Sequence, residues 1–388
     1  MGYKNKKQKM KINSTEKILF VANVDWFFIS HRLILAEAAI KEGYEVVVAC
    51  LDSGRKHEIE SVGATFVNLN FERSGINPLK ELITLYKFYR LYKNIKPSLI
   101  QHITLKPVTY GSLIAFFLKI PIVNSISGLG FNFAEDKKGL STRLMIYLMK
   151  LGFKNKNLIC IFQNYDDRKV IESRNILNKS NEIVMIKGAG VDLNQFYYST
   201  PTIKDKISII LPARLLWDKG VKEFYNSSLI LREKYRGKIE FKLIGVADIG
   251  NKAGVLEREL QEWIEEGYFS RIKYQIDMVP IYTESDIVVL PSYREGMPKT
   301  LLEACSVGRP IVTTNAIGCR ECVDEGVNGF KVSIKSAVEL ANAIEKLIID
   351  KQLRLKMGIA SRLKAEREFD QKNVILKHLE IYKSLLNE

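Results

Sequence analysis

The sequence predicts an α/β protein built from two successive doubly wound units, each a parallel sheet covered by helices on both faces. Three observations lead there: the length, the alternation of short β-branched runs with longer amphipathic ones, and one aperiodic polar interval in mid-chain. At 388 residues the chain exceeds one ordinary core, which holds ~100–200 residues. In the first half the strand-like runs are 17–24, 45–50, 64–69, 99–103, 122–126, 158–163 and 182–186, with helical patterns at 31–41, 78–94, 107–118, 141–151 and 166–175. Strands separated by helices imply right-handed crossovers and a sheet buried on both faces. Residues 194–206 are polar, contain Pro201 and read as a linker. Strand patterns then restart at 207–213, 240–244, 272–276, 287–290 and 311–314, with helices at 221–234, 254–265, 298–306 and 337–349. The expected organisation is a flexible basic tail (1–13), a first Rossmann-like unit (14–193), the linker (194–206) and a second Rossmann-like unit (207–370). A closing segment (371–388), amphipathic over 371–386, is expected to pack back on the first unit. Ligands of such sheets bind beyond the C-terminal strand ends, so the cleft between the units is the expected site.

Composition narrows the class. With 46% hydrophobic and 27% charged residues the chain is globular. No apolar run reaches the ~20 residues of a spanning helix, and the best, 107–118, ends at Lys119. The start, Met1-Gly2-Tyr3-Lys4, lacks the apolar stretch of a secretory signal, and Lys6 stands where myristoylation wants Ser or Thr. Five scattered cysteines argue for a reduced, cytoplasmic chain rather than a disulfide framework. Cys319-Arg-Glu-Cys322 has no second pair or histidine cluster beside it, so no metal or redox site is expected. The net charge of +15 is uneven: residues 1–195 carry 29 Lys/Arg against 17 Asp/Glu, residues 196–388 carry 30 against 27. A basic first half calls for an anionic partner.

The densest chemistry lies at 287–308. It reads strand, loop, helix, with Pro298 suited to the first helical turn and Gly308 to the left-handed residue past the end. Free loop N–H groups and the helix dipole then converge beyond the strand, a point that favours anions and polar hydroxyls. Glu295 in the loop and Glu303 one turn into the helix flank it, and carboxylates accept hydrogen bonds from vicinal diols. Further back, Pro212-Ala-Arg214-Leu-Leu-Trp-Asp-Lys219-Gly220 places an Arg and a Lys in another strand-to-helix loop. Such a pair clamps a diphosphate, one cation as a planar fork and the other as a point charge.

The run Tyr293-Arg-Glu-Gly-Met-Pro-Lys-Thr-Leu-Leu-Glu-Ala304 resembles the Glu-x7-Glu signature of the retaining GT-B glycosyltransferases of family four, glycosyl transferases group 1. The resemblance implies a GT-B fold, with Glu295 on the hydroxyls of the transferred sugar and Glu303 on those of the ribose. It implies Arg214 and Lys219 as the diphosphate ligands, with Gly296, Met297, Pro298, Lys299 and Gly245 around the donor. Gln163-Asn164-Tyr-Asp166-Asp167-Arg168, Gly188-Ala-Gly-Val-Asp192 and Ser127-Gly128-Leu129-Gly130-Phe131 look like the branch that builds capsule, O-antigen and lipid-linked oligosaccharides. Two features depart from the family. Its glycine pair after the first strand is replaced by Asn23-Val-Asp25-Trp-Phe-Phe-Ile-Ser30-His31-Arg32, and its cleft histidine is matched only by His102, in a position offset by one.

The expected function is therefore transfer of a hexose or N-acetylhexosamine from a UDP-sugar to a lipid-diphosphate-linked saccharide, such as one on undecaprenyl diphosphate. Glu295, Arg214, Lys219 and His102 are the expected catalytic group; Lys106, Ser127 and Gly128 are the expected acceptor contacts. The mechanism implied is same-face displacement, with the leaving phosphate taking the acceptor proton. No Asp-x-Asp triplet is present, so metal-independent turnover without a cofactor is expected. Basic amphipathic stretches at 78–96 and 143–156 suit the inner face of an anionic membrane, or else are core-facing helices with solvated basic sides. A glycan phosphorylase or sugar-phosphate synthase of the same fold would instead work without a lipid acceptor. A nucleic-acid-binding protein would explain the charge, but the chain lacks aromatic–basic RNA motifs and a helix-turn-helix.

Overall fold

In a computed structural model, residues 16–72, 78–129, 139–201, 204–247, 253–266, 269–272, 275 and 277–386 are described. The expected tail, Gly130, Phe131 and part of the linker lie outside the described residues. Among the described residues, thirteen strands build two wholly parallel sheets. The first holds β1 (Lys17–Val24), β2 (Glu45–Leu51), β3 (Thr65–Asn68), β4 (Leu99–Ile103), β5 (Ile122–Ile126), β6 (Leu158–Phe162) and β7 (Glu182–Met185). Their order is β3-β2-β1-β4-β5-β6-β7. The second holds β8 (Ile207–Pro212), β9 (Ile239–Ile244), β10 (Phe269–Ile272), β11 (Ile287–Leu290), β12 (Ile311–Thr314) and β13 (Gly329–Val332), ordered β10-β9-β8-β11-β12-β13. Central strands such as β4, β5, β6 and β11 are buried along their whole length, which is why they read as continuous apolar runs. Alternate strand residues feed two apolar layers per sheet; Phe20 and Val48 enter one, Leu19 and Val47 the other.

The helices around the first sheet are α1 (Asp25–Lys41), α2 (Lys56–Ser61), α3 (Pro78–Ile95), α4 (Ser112–Leu118), α5 (Leu140–Gly152) and α6 (Tyr165–Ser173). Around the second lie α7 (Val221–Arg232), α8 (Glu257–Glu265), α9 (Val279–Thr283), α10 (Lys299–Val307), α11 (Ala337–Ile349) and α12 (Lys351–Glu368). The last helix, α13 (Gln371–Leu386), returns to the first sheet: Lys383 pairs with Glu42 at 2.7 Å, and the Tyr382 hydroxyl donates to Gln101 Oε1.

Several boundaries differ from expectation for identifiable reasons. Helix α1 starts at Asp25, not 31, because the Asp25 carboxylate accepts from the Trp26 N–H at 2.6 Å and opens the helix straight off β1. At Pro107–Gly111 the expected helix is wound as a π turn. Gly111 lies there against His102, whose Nε2 would be 2.3 Å from an added Cβ. Helix α12 has charges on most faces and gives no clear apolar period. It packs through a narrow stripe around Met357, Gly358 and Ala365. Strand β10 sits three residues earlier than the expected 272–276, and β13 is a strand that the short Gly329–Val332 run does not announce.

Candidate active-site cleft

In each sheet the strand order reverses once, between β1 and β4 and between β8 and β11. Crevices at the carboxyl ends of such strand pairs are where open α/β sheets bind ligands. The segments leaving these four strands are 25–32, 104–106, 213–220 and 291–298, which hold most of the residues expected from sequence.

On the second unit, Lys219 follows β8 at the end of a short turn closed by Gly220, whose φ is +70°. A side chain there would meet the Pro291 carbonyl oxygen at 2.2 Å, so only glycine lets the two loops touch. This apposition brings Lys219 Nζ to Glu295 Oε1 at 2.5 Å, with Ser292 Oγ donating to the same oxygen at 2.9 Å. Helix α10 begins beside them, tied to β8 by Thr300 Oγ1 donating to the Pro212 carbonyl at 2.9 Å. Glu303 on α10 is 8% exposed. It accepts from the Tyr282 hydroxyl at 2.8 Å and lies 3.6 Å from Lys299 Nζ. Burial raises its pKa, and Lys299 and Tyr282 only partly offset that. Exposed Arg214 extends over the ring of Trp26 across the cleft, 5.7 Å from its centroid.

The first unit contributes the start of α1. Burial alone would raise the Asp25 pKa, but the Ser53 hydroxyl and the N–H groups of Ser53, Arg55 and Trp26 hold it below the ordinary value. This carboxylate fastens the loop after β2 to the start of α1. Two turns along the helix axis from there, His31 stacks on Phe27 at 4.3 Å. Its Nδ1 bonds the Phe27 carbonyl at 3.1 Å, which makes Nδ1 the protonated nitrogen and leaves Nε2 an acceptor. Burial, then the charges of Arg32, Lys299 and Arg214, lower its pKa to about 3. Lys299 Nζ also donates to the carbonyl of Ser30 at 3.2 Å, joining the units at this point.

A third set of contacts joins them. The turn after β6 carries Asn164, whose side-chain amide donates to the Gly296 carbonyl at 3.0 Å. Asp167 pairs with Arg294, and Asp166 with Arg320. Gly296 itself lies against the Ser127 carbonyl, and a Cβ added at Gly128 would come within 3.6 Å of its backbone.

Four sequence expectations need correction. His102 is fully buried, with Nδ1 on Asn124 Oδ1 at 2.8 Å and Nε2 on the Tyr92 hydroxyl at 2.7 Å. Burial lowers its pKa to about 4, so it is a neutral core histidine and not a cleft group. Lys106 has its charge engaged by Glu81 at 2.8 Å and by the Glu72 carbonyl at 2.5 Å, and pins β4 to α3 rather than standing open to an acceptor phosphate. The Met297 side chain is buried against Gly188 and Cys322 Sγ, so it does not line the cleft. Pro298 precedes α10 as its cap residue in extended conformation rather than occupying the first helical turn, while Gly308 takes the expected left-handed φ of +80°. Gly245 follows β9, where any Cβ would meet the Ala213 carbonyl at 2.0 Å; this close approach keeps the two strand ends together.

Cys319 and Cys322 are buried thiols with pKa values raised by burial, Cys319 to about 12. Among the described residues no cluster of His, Cys, Asp and Glu is arranged to hold a metal. A cavity of about 750 Å³ lined by Arg232, Tyr235, Phe241 and Phe269 opens at the opposite, amino-terminal end of the second sheet, remote from these groups. Sequence reasoning missed Ser292, Tyr282, Trp26 and His31. Trp26 and His31 both lie in the glycine-free segment after β1, which is the signal they carried.

Comparison with known proteins agrees with this fold. The family model for glycosyl transferases group 1 matches residues 199–364, and that for glycosyl transferase 4-like proteins matches residues 17–164. The chain is 28% identical to the N,N'-diacetylbacillosaminyl-diphospho-undecaprenol alpha-1,3-N-acetylgalactosaminyltransferase of Campylobacter jejuni, over 94% of this chain and 98% of that protein. It is 26% identical to the capsular polysaccharide biosynthesis glycosyltransferase CapM of Staphylococcus aureus, over 86% of this chain and 90% of that one. Anabaena Alr3699/HepE, solved with UDP and glucose, superposes with a TM-score of 0.76 at 19% identity, covering 95% of this chain and all of that one. With both halves matched and both sheets in place, the chain belongs to the GT-B glycosyltransferases of family four.

Proposed function

We propose that the protein is a retaining glycosyltransferase that moves a hexose or N-acetylhexosamine from a UDP-sugar to a lipid-diphosphate-linked saccharide, without a metal. The observation that carries this is the meeting of Lys219, Glu295 and Ser292 at the β8/β11 switch point, with Arg214 on the same side and Glu303 one helical turn away. Arg214 and Lys219 supply positive charge where the leaving diphosphate develops negative charge, the largest electrostatic contribution expected in such a reaction. Glu295 and Glu303 accept hydroxyl hydrogen bonds from the transferred sugar and the ribose. The anomeric carbon exchanges its bond to the phosphate oxygen for one to the acceptor oxygen on the same face, and the departing phosphate takes the acceptor proton. Support for the acceptor class comes from the Campylobacter relative and from an Escherichia coli UDP-Gal:alpha-D-GlcNAc-diphosphoundecaprenol alpha-1,3-galactosyltransferase, 26% identical over 81% of this chain.

The first unit also carries what a membrane-surface acceptor calls for. Helix α3 exposes Leu79, Leu82, Ile83, Tyr86 and Tyr89 beside Lys80, Lys87, Arg90 and Lys93, and α5 exposes Leu144 and Tyr147. Apolar side chains standing among cations on one helix suit an anionic interface. No helix among the described residues is long and apolar enough to cross a membrane. The deciding experiment offers UDP- and GDP-sugars in turn with a polyprenyl-diphosphate N-acetylglucosamine and follows nucleotide release and the anomeric configuration of the product. Release from no UDP-sugar, or an inverted product, would overturn the proposal.

A further inference from the structure

We propose that the turn after β6 (Gln163, Asn164, Asp166 and Asp167) is a clasp by which the acceptor-side unit positions the donor-site glutamate. The inference rests on the functional reading of Glu295 above. Among the described residues, the clasp's contacts with the C-terminal unit fall on one segment and its neighbour. Asp167, fully buried, pairs with Arg294; Asn164 donates to the Gly296 carbonyl at 3.0 Å while its Oδ1 caps α6 through the Asp167 N–H at 2.8 Å. Asp166 reaches Arg320, which lies just after Gly318. Glu295 is therefore gripped on both sides in sequence, at 294 and at 296, by a single turn of the other unit. Its own N–H is held by the Ile317 carbonyl at 2.9 Å.

The glycine at 296 gives independent support. It does not adopt a left-handed φ, so its backbone conformation is open to any residue. What forbids a side chain is the other unit: an added Cβ would stand 2.0 Å from the Ser127 carbonyl oxygen and 2.9 Å from Gln163 Oε1. Glycine at this position thus serves contact between the units. The Gln163–Asp167 motif, which has no role in the donor reading, finds one here. The diphosphate cations Arg214 and Lys219 and the ribose residue Glu303 belong to the C-terminal unit and stand outside the clasp. Nucleotide binding and glutamate placement share the Lys219–Glu295 pair but differ in their dependence on the clasp, whose contacts fall on 294, 296 and 320 rather than on Arg214, Lys219 or Glu303. A misplacement of about 1 Å at a reacting group is enough to cost ~10²-fold in rate.

The test compares Gly296→Ala, Asp166→Ala and Asp167→Asn with the unaltered full chain. UDP affinity is measured by calorimetry, turnover by UDP release from the UDP-sugar that the unaltered enzyme accepts, and closure by small-angle scattering with UDP bound. The expected result for Gly296→Ala is an opened molecule that keeps UDP affinity within about twofold and loses turnover by roughly tenfold or more. Asp166→Ala, a change at a half-exposed pair, guards against a folding defect and is expected to act in the same direction. Turnover unchanged in Gly296→Ala and Asp166→Ala overturns the clasp, as does a fall in UDP affinity parallel to the fall in turnover, which would make Gly296 a ligand contact only. If the unaltered enzyme uses no UDP-sugar, the functional reading fails instead; a Gly296→Ala molecule as closed as the unaltered one then overturns the clasp by scattering alone.

Discussion

Lys219 Nζ and Glu295 Oε1 lie 2.5 Å apart, with only 12% and 16% of their side chains exposed, although 76 residues separate them in sequence. The pair joins a group expected to grip a diphosphate to one expected to grip a sugar, so neither acts alone. Lys219→Ala and Glu295→Gln should each lower kcat/KM for the UDP-sugar by ~10²-fold, the usual cost of removing one pre-positioned charge partner. The double variant should lose less than the product of the two, because each single change already strands the other residue. Strict multiplicativity in steady-state UDP release would show that the two act independently.

Glu303 should act on the nucleotide rather than on the chemistry. Glu303→Gln keeps the shape beside Tyr282 but weakens the acceptor, and should cost about tenfold in UDP affinity, or ~1.4 kcal/mol. Because burial raises the Glu303 pKa, protonation sets in at higher pH than for an ordinary glutamate. UDP affinity should therefore fall as pH is lowered through the acid range, and Glu303→Gln should flatten that fall in titration calorimetry.

Acid should also unfold the chain earlier than its carboxylates alone would dictate. His102 and His378 are fully buried, with pKa values lowered from 6.5 to about 4 and about 3. A histidine depressed in the fold binds fewer protons there than when unfolded. Its contribution is complete above pH 6.5 and is lost as pH falls from there through its folded pKa. Chemical denaturation at stepped pH should show stability dropping across pH 6.5–4, and His102→Gln should reduce the slope. The same variant should retain the kcat of the folded fraction, since His102 lies outside the cleft.

For the membrane face, Leu82→Asp combined with Tyr86→Asp on α3 should reduce co-flotation with phosphatidylglycerol vesicles. Binding by the unaltered protein should weaken as salt shortens the ~10 Å screening length. UDP affinity should be untouched, because α3 is remote from the second sheet. Binding that resists 0.5 M salt, or that survives the double change, would argue against this face.

Metal removal gives a simple check. With Arg214 and Lys219 as the diphosphate partners, EDTA should leave the initial rate unchanged. Restoration of a lost rate by Mg²⁺ or Mn²⁺ would place a metal in the reaction.

The parallel strands were legible because burial on both faces writes them as unbroken β-branched runs, as in Ile122–Ile126 and Ile287–Leu290. The Glu295–Glu303 segment was legible because strand, loop and helix are contiguous there. Position within the sheet was not: His102 occupies a strand end in sequence, yet its side chain turns into the core toward Asn124 and Tyr92, and no periodicity distinguishes the two sides of a fully buried strand. Lys106 was misjudged for a related reason, since its partner Glu81 is 25 residues away on another helix. His31 was hidden inside a helix whose first two turns, rich in aromatics, do not look helical.

Val191 and Asp370 pair where the chain passes between the units for the first and second time: the Val191 N–H donates to the Phe369 carbonyl at 2.8 Å, and the Gln371 N–H to that of Val191 at 3.1 Å. Beyond this double crossing α13 completes the first unit's wall, with Tyr382 reaching Gln101 across 281 residues of sequence. On the ribosome, then, the half that emerges first is the half that cannot be finished until the end. One face of its sheet must wait, covered only by α1 and α2, while the whole second unit is made and folds. Recombination at a single junction in the linker would exchange α13 along with the wrong half, so the second unit is exchanged cleanly by two junctions that leave the last helix behind.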